Sequence, residues 1–141
     1  MDFIAKNQNE LGKCVYSLLK DKMSGGFRVG LSGDLGAGKT TLVKMIAKFL
    51  GIKDEVTSPT FNLRKIYKIT PDLFLQHIDL YRMSSKNQND LNEVGDWLKD
   101  KKTISFVEWP ENLQMNQNDF DAYIKIEPLG LNQRKVKITW K

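Results

Sequence analysis

The segment Gly33-Asp34-Leu35-Gly36-Ala37-Gly38-Lys39-Thr40 constrains this chain more than any other. It matches G-x-x-x-x-G-K-[ST], the P-loop pattern, and each position has a physical task. The glycines let the backbone turn tightly around a polyphosphate, so that successive N–H groups face its oxygens. Lys39 brings a compact positive charge to the terminal phosphates, and the Thr40 hydroxyl is placed to ligate Mg²⁺. The flanks agree with this reading. Phe27 to Leu31 reads as a short strand, and Leu42 to Leu50 as a helix with Leu42, Ile46, Phe49 and Leu50 on one face. A loop between strand and helix sets the phosphates at a helix N-terminus, where unbonded N–H groups and the dipole favour anions.

A chain of 141 residues suits one compact domain. Its 40% apolar and 28% charged content fits a soluble globular protein. No apolar run reaches the length of a membrane span. The start, Met1-Asp2-Phe3-Ile4-Ala5-Lys6, lacks the basic and apolar regions of a secretory signal, so a cytoplasmic location is expected. Cys14 is the only cysteine, and on the apolar face of a helix it reads as a buried, inert thiol. The net charge of +5 raises the question of nucleic acid. However, Arg28, Arg64, Arg82 and Arg134 are the only arginines among 22 basic residues. Arginine is the better residue for bidentate phosphate and base contacts, so a solvated lysine-rich surface is the simpler reading.

Along the chain, Asn7 caps a helix with Glu10 three residues on, and Leu11, Cys14, Val15, Leu18 and Leu19 recur at helical spacing before Gly25-Gly26. Thr57 to Thr60 is a loop. Strands are expected over 61–69, 73–79 and 103–107, and a short helix over 90–98 after the polar loop 84–89. Residues 121–127 and 135–140 read as an antiparallel strand pair joined through Pro128-Leu129-Gly130. The expected architecture is α/β: a single P-loop NTPase domain over 1–141. Its central, mostly parallel sheet is flanked by helices and ends in the antiparallel C-terminal pair.

A hydrolase also needs acids at the ends of neighbouring strands. Asp79 follows an apolar strand, as a Walker B aspartate does, and is positioned to hold Mg²⁺ directly or through water. Glu108 ends another apolar strand and suits either completing the metal shell or orienting the attacking water. Ligands in open α/β sheets sit at such strand C-termini. The hydroxyls of Thr57, Ser58 and Thr60 resemble those of switch loops that sense the γ-phosphate. His77, the sole histidine, reads as structural, and no arginine stands out as an arginine finger. No N/T-K-x-D guanine-reading segment is present, which favours ATP. Two other readings remain open: a nucleotide-gated binding module with negligible turnover, and a small-molecule phosphotransferase. For the latter, 141 residues leave little room for a lid and an acceptor site.

Four ordered motifs carry a resemblance. Gly-Asp-Leu-Gly-Ala-Gly-Lys-Thr-Thr at 33–41, Thr-Ser-Pro-Thr-Phe at 57–61, His77-Ile78-Asp79-Leu80-Tyr81-Arg82 and Val107-Glu108-Trp109-Pro110-Glu111 closely resemble the bacterial TsaE (YjeE) family over nearly the whole chain. The resemblance implies a small ATPase that supports formation of N6-threonylcarbamoyladenosine at position 37 of tRNA. In that family the protein does not transfer the threonylcarbamoyl group. It acts on a TsaB–TsaD complex, with weak activity alone, contact with tRNA only indirect, and no membrane involvement. By position, the resemblance implies that Gly33, Gly36, Ala37, Gly38, Lys39, Thr40 and Thr41 cradle the phosphates of ATP, or of ADP as product. It further implies metal ligation by Thr40, Asp79 and Glu108, catalysis by Glu108, Asp79 and Lys39, and nucleotide contacts by Thr60, Trp109 and Arg134. The segment from Ala5 to Gln8 corresponds to the adenine side. The family's acidic stretch before Gly95 is replaced here by the polar run Ser84 to Asn89.

Overall fold

A computed structural model describes residues 1–34, 36–57, 63–83 and 88–141. Leu35, most of the 57–61 motif including Thr60, the beginning of the expected 61–69 strand and most of the polar 84–89 run lie outside the described residues.

All strands among the described residues join one seven-stranded sheet. In chain order the elements are β1 (Asp2–Ala5), α1 (Gln8–Leu19), β2 (Arg28–Ser32), α2 (Lys39–Phe49), β3 (Arg64–Thr70), β4 (Leu73–Asp79), α3 (Gln88–Leu98), β5 (Thr103–Glu108), β6 (Ala122–Leu129) and β7 (Gln133–Trp140). Two 3₁₀ turns, Pro110–Leu113 and Gln117–Asp119, precede β6. The strand order is β1-β7-β6-β2-β5-β4-β3. Strands β6, β2, β5 and β4 form a parallel core, while β3 pairs antiparallel at one edge and the β6–β7 hairpin, with β1 beyond it, at the other. The expected mixed α/β layer architecture and the antiparallel C-terminal pair are both present.

Local chemistry explains the elements. Asn7 is extended and its Oδ1 accepts the Glu10 N–H at 2.9 Å, as the sequence pattern predicts. Glu10 reaches back to the Lys6 N–H at 2.9 Å rather than to that of Asn7. In α2 the buried stripe is Leu42, Val43, Ile46 and Ala47. Phe49, expected on that face, is instead 40% exposed and packs on Tyr16, with ring centroids 4.8 Å apart. Cys14 is only half-buried, because Leu11, Val15 and Leu19 carry the inward stripe of α1. Helix α3 starts at Gln88, two residues before the expected Asp90. β5 is buried at all six positions, as befits a central parallel strand covered on both faces. Strand β1 has no counterpart in the sequence reading. Four residues are too few for a period-2 signal, and the strand exists only because β7 offers it an edge.

Helices α1 and α2 cover one face of the sheet over a core that includes Val29, Leu31, Leu75, Phe106, Ile124 and Val136. The smaller core on the other face joins Ile78, Leu80, Val107 and Phe120 to Val94 and Leu98 of α3. The turn before β2 is seated against the turn before β5. The Gly26 N–H donates to Thr103 O at 2.8 Å, and a methyl group at Gly25 would overlap the Lys101 carbonyl oxygen. This contact helps set the β2–β5 register that brings the loop after β2 beside the end of β5. Gly25→Ala is therefore expected to lower stability by about 1–3 kcal/mol, since backbone must shift to admit the methyl group. Urea denaturation should show the loss as a reduced midpoint, and an unchanged midpoint would refute it.

Candidate functional site

The sheet register assembles the site. Asp79 and Glu108 are direct partners at the C-terminal ends of adjacent parallel strands, so their side chains leave the same face. That face carries α2, whose first residues are Lys39 and Thr40. Leu31 at the end of β2 pairs with Glu108, which puts the phosphate loop beside this carboxylate.

The loop is shaped by what surrounds it. Gly33 has φ 151°, and a methyl group there would lie 2.5 Å from the Ile126 carbonyl oxygen of β6. Gly38 has φ 107°, a backbone conformation that suits glycine, and lies against the end of the Gln8 side chain. Arg134 of β7 is buried, and its Nε–H donates to the Ala37 carbonyl at 2.9 Å. This arginine therefore grips the loop backbone.

A cleft of about 410 Å³ opens above the loop. Its walls bring together Gly36, Ala37, Gly38, Lys39, Thr40 and Thr41 with Asp79, Glu108 and Trp109. It thus gathers most of the residues singled out by sequence. Gln8, Tyr81 and Arg82 complete the lining. Gly33 and Arg134 support the loop from outside the cleft lining, and Ala5 is buried in the core.

Glu108 is 2% exposed and is held from two sides. The Thr40 hydroxyl donates to both carboxylate oxygens at 3.1 and 3.0 Å. His77, fully buried, places Nε2 2.5 Å from Oε2. The histidine read as structural from sequence is therefore the partner of the buried acid, and its Nδ1 has no hydrogen-bond partner among the described residues. The alternation of β4 held the signal, because His77 and Asp79 are two apart and share a face. The Lys39 ammonium is buried, donates to the Gly33 carbonyl, and lies 3.8 Å from the centroid of the Trp109 ring. Trp109 adopts a left-handed backbone conformation with φ 58°, which turns its ring back over the loop. The Tyr81 ring packs against that ring, with centroids 5.0 Å apart.

Burial lowers the pKa of Lys39 below its usual value, against the opposing pull of Glu108, Glu111, Asp79 and Asp34. Burial also raises the Asp79 carboxyl, assisted by the Glu108 charge and opposed by the Tyr81 N–H that Asp79 Oδ1 accepts at 3.0 Å. Both groups are thus held where their charged forms are disfavoured. Among the described residues no three His, Cys, Asp or Glu side chains form a metal cage. Two carboxylates and a hydroxyl at a phosphate loop are instead the donor set that suits Mg²⁺, which binds through few protein ligands plus phosphates and water.

The raised Asp79 pKa fixes a sign. Between the unfolded value of 3.8 and the higher folded value, the folded protein binds more protons. Stability therefore falls as pH rises through that window, and the penalty is fully present above it. Asp79→Asn keeps an acceptor for the Tyr81 N–H and removes the penalty. The ligand-free variant is expected to melt on the order of 1–3 °C higher at pH 7, with the gap closing as pH falls toward 4. Calorimetry at both pH values checks this, and an Asn variant less stable at pH 7 would contradict it.

Comparisons with known proteins agree with this geometry. The model of the family described as "Threonylcarbamoyl adenosine biosynthesis protein TsaE" matches residues 5–136. The "tRNA threonylcarbamoyladenosine biosynthesis protein TsaE" of Treponema pallidum is 33% identical over 95% of this chain and 94% of its own length. The protein of the same name in Borreliella burgdorferi is 43% identical over 57% of this chain, a match that spans 58% of that protein. The crystal structure of Bacillus subtilis YdiB superposes with a TM-score of 0.75 at 30% identity, covering 99% of this chain and 84% of YdiB. By family match, relatives and fold together, the chain belongs to the TsaE family.

Proposed function

We propose that this protein binds and hydrolyses MgATP and, through that cycle, supports formation of N6-threonylcarbamoyladenosine in tRNA by acting on a TsaB–TsaD-type complex. The observation that carries the ATPase reading is the cluster at the loop. One end of a single cleft holds a buried lysine, a threonine hydroxyl bonded to a buried carboxylate, and a second carboxylate on the adjacent strand. The role in tRNA modification rests on the family and on the names of the relatives.

Each residue has a task in this reading. The loop backbone from Gly36 to Thr41, starting from the turn at Gly33, presents N–H groups to the phosphates of ATP and then of ADP. Lys39 leaves its carbonyl partner to meet the terminal phosphates. Thr40, Asp79 and Glu108 would hold Mg²⁺, which would neutralise phosphate charge. Glu108 also accepts the proton of the attacking water, and His77 with Thr40 keeps its carboxylate in place. Trp109 borders the terminal phosphates, Gln8 faces the loop from the N-terminal side, and Thr60 belongs to the switch-like loop. Arg134 serves by shaping the loop at Ala37 rather than by touching nucleotide. The domain works as one unit over 1–141, contacts tRNA only through its partners and resides in the cytoplasm. No helix among the described residues is long and apolar enough to cross a membrane.

Two variants test the reading. Lys39→Ala is expected to weaken ATP binding by about 10–100-fold, the range of a lost charge-assisted contact. Glu108→Gln keeps the shape around the buried His77. It should bind ATP within about threefold of wild type and lose hydrolysis by about 10²–10⁴-fold, the usual contribution of a positioned base. Calorimetric binding and phosphate release are the readouts, with purified TsaB–TsaD titrated into the hydrolysis assay. A Glu108→Gln protein that turns over at the wild-type rate removes the acid from the chemistry. Nucleotide-sensitive partner binding with negligible turnover in the wild type would mark a nucleotide-gated binding module instead. Phosphorylated product from a panel of nucleosides and sugars would mark a phosphotransferase.

A further inference from the structure

The four arginines of this chain have different fates, and three are tied into the fold. Arg28 lies 3.8 Å from the Asp121 carboxylate. The Arg64 Nε–H donates to Gln76 at 2.7 Å, and the Arg64 guanidinium sits 4.8 Å from the Trp97 ring centroid. Arg134 is buried against the Ala37 carbonyl. Arg82 alone lines the phosphate cleft, in the company of Lys39, Asp79 and Glu108, and makes no ion pair among the described residues.

An exposed, unpaired arginine is usually just a solvated surface group. The backbone beneath Arg82 argues otherwise. The turn that carries it is pinned at every neighbouring residue. The Leu80 N–H donates to the Glu108 carbonyl at 3.0 Å, the Tyr81 N–H to Asp79 Oδ1 at 3.0 Å, and the Met83 N–H to the Leu80 carbonyl at 2.9 Å. The Asn112 side chain donates to the carbonyls of both Leu80 and Tyr81, each at 2.9 Å. The Tyr81 ring packs on Trp109, which itself covers Lys39. A backbone fixed by hydrogen bonds therefore holds Arg82 in the cleft lining, three residues beyond Asp79, with no ion pair among the described residues. The carboxylates within reach are occupied elsewhere: Glu108 by Thr40 and His77, and Asp79 by the Tyr81 N–H. A planar, permanently charged fork on a fixed base is suited to the equatorial oxygens of a transferring phosphoryl group, where fixed charge stabilises the transition state without reorganisation.

We propose that Arg82 is a catalytic arginine supplied in cis, its guanidinium contacting the γ-phosphoryl oxygens as the bond to the leaving group breaks. The inference rests on the ATPase reading above. In the reaction, the water oxygen forms a bond to the γ phosphorus, and the bridging bond to the β phosphate breaks with its electron pair leaving on ADP. The water proton passes through Glu108 to the released phosphate. Arg82 keeps its proton throughout.

The test compares wild type with Arg82→Ala, Arg82→Lys and, as a probe of the pinned turn, Asn112→Ala. ADP affinity is measured with and without aluminium fluoride, which mimics the transferring phosphoryl group, and hydrolysis of labelled ATP is followed in single turnover. Both Arg82 variants are expected to bind ADP within about threefold of wild type, to lose the tighter binding that aluminium fluoride confers, and to hydrolyse at least about 100-fold more slowly, near the low end for catalytic arginines. Asn112→Ala should fall between them and wild type. An Arg82→Ala protein that keeps both the fluoride-enhanced binding and wild-type turnover overturns the proposal. So does one whose ADP affinity alone collapses, because that marks a ground-state contact. A wild type that shows neither turnover nor fluoride enhancement despite binding ADP defeats the hydrolysis reading itself, and the role of Arg82 with it.

Discussion

The buried carboxylate of Glu108 is the point on which this structure turns. A carboxyl group at 2% exposure is tolerable only if its surroundings supply hydrogen-bond partners. The fold meets that demand with a hydroxyl from α2, an imidazole from β4 and the nearby ammonium of Lys39. Two of these groups start α2 and the third lies on β4, so the acid of β5 cannot be satisfied until the P-loop helix, β4 and β5 are all in register. The same requirement that satisfies one buried carboxyl group therefore aligns the parts of the proposed phosphate site.

The parallel core and the antiparallel edges divide the labour. Strands β4 and β5 of the parallel core end side by side at the cleft and deliver Asp79 and Glu108. The β6–β7 hairpin delivers no side chain to the cleft lining, yet it shapes the loop. Its Ile126 carbonyl leaves room only for glycine at 33, and its Arg134 grips the Ala37 carbonyl. Arg134, which the family resemblance places at the nucleotide, donates to the loop backbone at Ala37, while Arg82 lines the cleft with no ion pair among the described residues.

Much of this was legible in the residues, for reasons that can be stated. The P-loop, the α1 cap and the apolar strands are local signals, and the structure keeps them. What escaped were features set by distant partners. Strand β1 exists only through β7, and the inward face of α2 was rotated by packing so that Phe49 lies on Tyr16 rather than in the core. His77 was read as structural because a lone histidine on a strand carries no signal of its own. Its significance comes from Glu108, thirty-one residues away and one strand over. Arg82 and Tyr81 followed Asp79 at a strand C-terminus, where functional groups gather in such sheets, but only the pinned turn separates them from ordinary loop residues.

The hold of β6 and β7 on the loop also bears on how the chain acquires its shape. The loop is made well before the carbonyl that limits Gly33 and the guanidinium that grips Ala37, the latter 97 residues further along the sequence. Strand β1 likewise waits for β7. These closures join the most distant parts of the sequence, and non-local pairings of this kind are slow to form and leave strand edges exposed meanwhile. The phosphate loop is thus set in its final form only when the last hairpin docks, and a nascent chain lacking that hairpin carries the motif without the cradle.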